Sequence, residues 1–210
     1  MKARPITMIM QTIFQNNKGL TLVELMIVLV LSLMLMAAVY MTYQTQHRTS
    51  EAQHRVTAVQ QDLRAVLNIM SRDIRQAGCD PTMHSTAGII PNESGPTSLS
   101  FSMDLNEDGD SGDTNPEEQV AFTLSGTDIH RNGVILAQNV TTLGFVYYDE
   151  NNAVITPTNA GGSSLTAAEA ADVRDVEIRV RVQSDKRDPE TNQFISRAME
   201  KRIKLRNQGI

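Results

Sequence analysis

The sequence predicts an α+β fold in which a long N-terminal α-helix packs, over its second half, against an antiparallel β-sheet domain. Three observations predict it. Leu20 to Tyr43 is a dense apolar block, and no proline interrupts the chain from Leu20 to Ala77. Beyond Tyr43 the chain turns polar, yet Val56, Val59, Leu63, Val66, Leu67, Met70, Ile74 and Ala77 recur with the period of one helical face. After Gly78 and Pro81 the pattern changes to short alternating runs between Asn-, Asp-, Gly- and Ser-rich stretches, which is the mark of strands and turns.

The apolar block comes first in the chain. Leu25 to Tyr40 carries no charge, and Ser32 is its only strongly polar side chain. At about 1.5 Å per residue the block spans about 30 Å, the thickness of a bilayer's hydrocarbon core. The preceding residues 1–19 hold Lys2, Arg4 and Lys18 and no acid. That bias places them on the cytoplasmic side and the bulk of the chain across the membrane. A secretory signal would have a shorter apolar run and a small-residue cleavage site, for which only Ala37-Ala38 offers itself. A plain single-span anchor fits the length. Neither reading explains Glu24, since a carboxylate at the head of an apolar helix is expensive and needs a partner.

The polar continuation, residues 44–78, extends the helix to about 55 residues, roughly 80 Å. Gly78 is its natural stop. Its stripe suits a sheet of the same chain and is short for a coiled-coil seam.

In residues 79–210 strands are expected over Leu99–Met103, Gln119–Leu124 and Leu143–Tyr148, with a hairpin through Asn132-Gly133. Val176 to Gln183 alternates most regularly, with Val176, Ile178, Val180 and Val182 on one face. A last strand over Ile195–Leu205 is expected to pair with it. Ala167 to Ala171 reads as a short helical turn.

Composition narrows the function. The formal net charge is -5, and three of the 19 basic residues lie in residues 1–19. Without that segment 16 basic and 24 acidic residues remain, a net charge of -8. Phosphate binding needs clustered Lys and Arg, so no nucleic-acid partner is expected. Cys79 is the single cysteine, so no intramolecular disulfide forms. The four histidines make no zinc spacing, and there is no nucleophile elbow, P-loop or dinucleotide fingerprint. No catalytic activity is expected. Lys201, Arg202, Lys204 and Arg206 form a basic edge near the C-terminus, suited to an acidic partner or to keeping a strand edge solvated.

Lys18-Gly19-Leu20-Thr21-Leu22-Val23-Glu24-Leu25 resembles the leader junction of type IV prepilins and pseudopilins. The resemblance implies a pilin-like fold with a leader over 1–19, a transmembrane and assembly helix over 20–43, and a β-rich domain outside the cytoplasm. It further implies that a prepilin peptidase cuts after Gly19 and methylates the new amino terminus at Leu20, where phenylalanine is more usual. Glu24 is then the residue that guides docking onto other subunits. A missing Cβ at the cut lets a peptidase groove approach the backbone. Leu63 to Gly78 resembles the helix end of PilW-type minor pilins and GspJ-type pseudopilins. Glu118 to Tyr148 is similar to the sheet region of PilW-type proteins. The resemblance implies a single-pass inner-membrane precursor that enters a pilus or periplasmic filament. Three functions compete: minor pilin of a type IV pilus, minor pseudopilin of a type II secretion filament, and a membrane-anchored calcium-binding or adhesin module.

One further motif stands apart. Asp104-Leu105-Asn106-Glu107-Asp108-Gly109-Asp110 begins like a calcium loop, with oxygen ligands expected from Asp104, Asn106, Asp108 and Asp110. The twelfth position is Asn115 instead of glutamate; Glu117 or Glu118 offers a later carboxylate. The other reading is a solvated acidic loop.

Overall fold

The computed structural model describes residues 19–84, 86–188 and 191–207. The chain divides into two compact units, Met1–Thr49 and Ser50–Ile210. Helix α1, Leu22–Gln76, begins in the first and ends in the second.

In the first unit every described residue is exposed, including the large apolar side chains from Leu20 to Tyr43. The helix is long and apolar enough to cross a membrane, by length and composition. Its serine and threonine hydroxyls from Ser32 to Thr49 bond back to helix carbonyls. Ser32 Oγ donates to the Leu29 carbonyl (2.8 Å) and Thr42 Oγ1 to that of Ala38 (3.0 Å). Such back-bonding lowers the cost of carrying a polar group on an apolar helix.

In the second unit the expected stripe is buried at Val59, Leu63, Val66, Leu67, Met70 and Ile74; Val56 is only partly covered. The helix stops where Gly78 takes a left-handed φ of 75°. That conformation favours glycine and closes helix C-termini. The Gly78 N–H then donates to Ser102 O (3.0 Å), tying the helix end to the first strand.

Eight strands follow: β1 Ser98–Ser102, β2 Gln119–Ser125, β3 Asp128–Arg131, β4 Val134–Ala137, β5 Val140–Tyr148, β6 Val154–Ile155, β7 Asp175–Arg187 and β8 Phe194–Lys204. A short helix α2, Ala167–Asp172, precedes β7. The strands form two four-stranded sheets, ordered β1-β2-β3-β4 and β6-β5-β7-β8, where the sequence pattern predicts one. All pairings between named strands are antiparallel. The division falls between β4 and β5. There Asn139, at φ 59°, turns the chain so that Val140 pairs with β7.

The Asn132-Gly133 turn has φ of 50° and 79°, two positive values in succession, as the tight hairpin turn requires. Val176, Ile178, Val180 and Val182 of β7 are buried, and Val176 pairs with Ile203 of β8. The core joins the helix stripe to Leu99, Phe101, Phe122, Phe145, Ile178 and their neighbours. Tyr147 is buried within it, its hydroxyl 2.8 Å from Gly95 O and 3.1 Å from Ser98 O. Burial drives that phenol far above the usual tyrosine range.

Gly95 marks the closest approach of two loops. A Cβ built there lies 1.9 Å from the carbonyl oxygen of Ser163. The same loops are laced by Leu165 N–H to Ser94 O (2.8 Å) and Asn92 N–H to Leu165 O (3.0 Å).

Candidate processing and assembly site, and an acidic loop

Gly19, Leu20 and Thr21 precede the helix and are exposed. The space around Gly19 is open, with nothing within 4 Å of a built Cβ. Thr21 caps α1. Its Oγ1 accepts the Glu24 N–H (3.2 Å) and its carbonyl accepts the Leu25 N–H (3.1 Å). This fixes where the helix begins and puts Glu24 in its first turn, where the partial positive charge of unpaired N–H groups favours a carboxylate. Thr21 thus joins Gly19, Leu20 and Glu24, the residues to which the sequence points. Its signal was there: Thr-x-x-Glu ahead of an apolar run is the sequence mark of a capped helix start. Thr166-x-x-Glu169 repeats it at α2, where Thr166 Oγ1 accepts the Glu169 N–H and Glu169 accepts the Thr166 N–H. Residues 1–18, which carry the basic part of the leader, lie outside the described residues.

The acidic loop between β1 and β2 is organised from its buried ends. Asp104 is 1% exposed. Its Oδ1 accepts the Glu107 N–H (2.7 Å), and its Oδ2 accepts the Gly109 N–H (3.1 Å) and the Thr82 hydroxyl (3.3 Å). Glu118 is fully buried and accepts the N–H groups of Leu105 (2.9 Å) and Asp113 (3.2 Å). The two buried carboxylates thus hold loop backbone. Asn106 bridges Asp108 and Asp113 through its amide (2.9 and 2.8 Å). Of the four expected ligands, Asp108 and Asp110 group with Asp113, Asn106 joins them through its side-chain amide, and Asp104 turns inward to the loop backbone. Carboxylate oxygens of Asp108, Asp110 and Asp113 lie within 4.8 Å of one another.

The half-buried Asp113 carboxyl is pushed above its ordinary 3.8, by burial first and then by the charges of Asp110 and Asp108. Glu117, just outside the group, is held low by hydrogen bonds from Asn132 and Arg131. Since folding raises the proton affinity of Asp113, ionising it costs stability. That cost is absent below the ordinary carboxylate pKa and grows to its full value as pH rises through the raised one. Asp113→Asn is expected to raise the melting temperature at pH 7 in chelator and to leave it unchanged at pH 3. Equal melting at both pH values would remove the repulsion argument.

Two family profiles match the chain. The prokaryotic N-terminal methylation motif covers residues 14–40, and prepilin peptidase-dependent protein B covers residues 52–205, well over half the chain. The chain belongs to the prepilin peptidase-dependent protein B family. No curated protein matches the chain.

A member of this family with the methylation motif is a type IV pilin-like subunit that prepilin peptidase processes for pilin-type assembly, and its apolar helix anchors it in a membrane. In this prepilin peptidase-dependent chain Gly19 and Leu20 are exposed, just ahead of the helix that Thr21 caps. The motif's match to residues 14–40 takes in Gly19, Leu20, Thr21 and Glu24 together.

Proposed function

We propose that the protein is a PilW-type minor pilin of a type IV pilus, a scaffold with no catalytic step of its own that acts in pilus assembly and initiation. The observation that carries this reading is the exposed Gly19–Leu20 junction set against a capped helix that holds Glu24 in its first turn and stays apolar to Tyr43. Before cutting, the subunit sits in the inner membrane with its sheet unit on the far side. Cutting frees a cationic amine at Leu20. The carboxylate of Glu24 on one subunit attracts the amine of another across a low-dielectric gap. Apolar helices then pack together and leave lipid.

A clean deletion strain tests the reading, with surface pili imaged beside secreted protein in the medium. Lost pili with intact secretion is the expected result. Intact pili with lost secretion would move the chain to the filament of a type II secretion system.

Within the same reading we propose Ca²⁺ as the ion for the acidic loop. Hard carboxylate oxygens suit it, and Asp108, Asp110 and Asp113 supply three of them close together. Asp104 serves the loop backbone beneath them. Titration calorimetry with millimolar Ca²⁺ is expected to give a saturable heat, lost in Asp110→Asn, together with higher melting that EGTA reverses. No heat and no shift would leave a solvated loop.

A further inference from the structure

The helix and the last strand together build a charged surface. Arg64, Asn68, Arg72 and Arg75 recur along α1 in steps of four, four and three, so they share one helical face. All four are exposed. On β8, Arg197 and Lys201 pair with Val182 and Ile178, both buried, so the two cations occupy core-facing positions of an edge strand. Two contacts bring strand and helix side by side. Arg55 Nη1 donates to Arg187 O (2.6 Å) at the start of the β7–β8 hairpin, and Lys201 Nζ donates to Asn68 Oδ1 (3.3 Å) further along. Helix and strand therefore run in the same direction. Lys201 meets the helix at Asn68, with Arg64 one turn before it and Arg72 one turn after.

Arg64, Arg72, Arg75, Arg197 and Lys201 form one strip in the second unit, and among the described residues none of the five has a carboxylate partner. Two other basic residues of β7 and β8, Arg179 and Arg202, are paired with carboxylates. Arg202, next in sequence to Lys201, points to the opposite face, bonds Asp175 at 2.8 Å and stacks 3.8 Å over Tyr148. Inward charges on an edge strand discourage stray pairing, which accounts for Arg197 and Lys201 but not for three arginines on the helix. Cations gathered along one face without carboxylate partners repel one another, and an opposing row of carboxylates relieves that.

We propose that this strip docks an acidic helix face of a neighbouring pilin-type subunit. The proposal rests on the assembly reading above and names the partner's chemistry. Cations spaced by one helical turn, about 5.4 Å, match carboxylates carried at the same spacing. A nucleic acid is disfavoured: residues 104–118 alone carry seven acids and no base, within a processed chain of net charge -8.

The full-length protein in its own cells supplies the test. The reversal Arg64→Glu/Arg72→Glu/Lys201→Glu is expected to be cut at Gly19 and to reach wild-type membrane levels. Its recovery in sheared filaments is expected to fall about tenfold, while Arg64→Lys/Arg72→Lys stays within about twofold. A photo-crosslinking residue at position 72 of the otherwise native chain gives an independent reading that does not depend on the reversal folding. The expected crosslink maps to an acidic helical segment of another pilin-type subunit. Wild-type recovery of the reversal would overturn the proposal, as would absence of a crosslink or its mapping to a second copy of this chain or to nucleic acid. If Glu24→Ala also assembles normally, the assembly reading itself has failed; if only the reversal does, the strip alone is wrong.

Discussion

Replacing Glu24 by alanine is expected to leave the chain cut after Gly19 while lowering its recovery in filaments at least about tenfold. The substitution is unusually clean. Thr21 caps the helix through the backbone N–H of residue 24, a bond that alanine retains. Alanine is also the best helix former, so the helix start should survive. What disappears is a negative charge at the head of an apolar helix. Two unit charges about 4 Å apart attract by about 4 kcal/mol at an effective dielectric of 20, roughly a thousandfold in an association constant. A part of that is spent on desolvating both groups, which is why the expected loss is set at tenfold and above. Immunoblots of membranes and of sheared filaments read the two quantities separately. Gly19→Trp is the companion variant and should accumulate uncut. Glu24→Ala filaments indistinguishable from wild type would refute the charge-pairing role.

The second large effect is structural. Gly95→Ala is expected to destabilise the sheet unit by at least about 3 kcal/mol, because the new methyl collides with backbone. At 1.9 Å from the Ser163 carbonyl it has no flexible side chain to push aside. Relief requires the loops to part. That strains the bonds between Ser94 and Leu165 and between Asn92 and Leu165, together with the Tyr147 hydroxyl's hold on Gly95 O. For a unit of this size the loss corresponds to roughly 6–12 °C in melting temperature. Gly144→Ala is the control. Its methyl would meet Arg179 Cβ and Pro96 O at 3.8 Å, an ordinary contact, so melting should stay close to wild type. Thermal melts of the detergent-solubilised full chain, followed by the sheet signal, decide the matter. Equal melting of the two variants would refute the collision.

Much of this arrangement was legible in the residues. The helix stripe, the Gly78 stop, the Asn132-Gly133 turn and the alternation of β7 each follow from a local period or a backbone preference, and each appears where expected. The methylation motif over residues 14–40 was legible for the same reason, since it is contiguous. What escaped is non-local. Nothing in Gln138-Asn139 announces that the chain leaves one sheet for another, because that depends on which strand waits to receive Val140. The loop acids look equivalent in sequence, yet burial sends Asp104 and Glu118 inward to hold backbone and leaves Asp108, Asp110 and Asp113 together. The basic residues near the C-terminus read as one edge, but strand alternation divides Lys201 from Arg202. Thr21 is a different case, since Thr-x-x-Glu is a local signal that announces its cap in the sequence itself.

The pairing of α1 with β8 has a consequence for how the molecule is made. Asn68 and Lys201 stand 133 residues apart in the chain. The greasy side of the helix is synthesised early, and the strand that closes over one flank of it is synthesised last. At about 5–20 residues per second the helix waits roughly 7–27 s for that strand to leave the ribosome. Throughout that delay Leu63, Met70 and Ile74 have no completed core to enter, so the half-built subunit carries an uncovered apolar face until its last strand arrives.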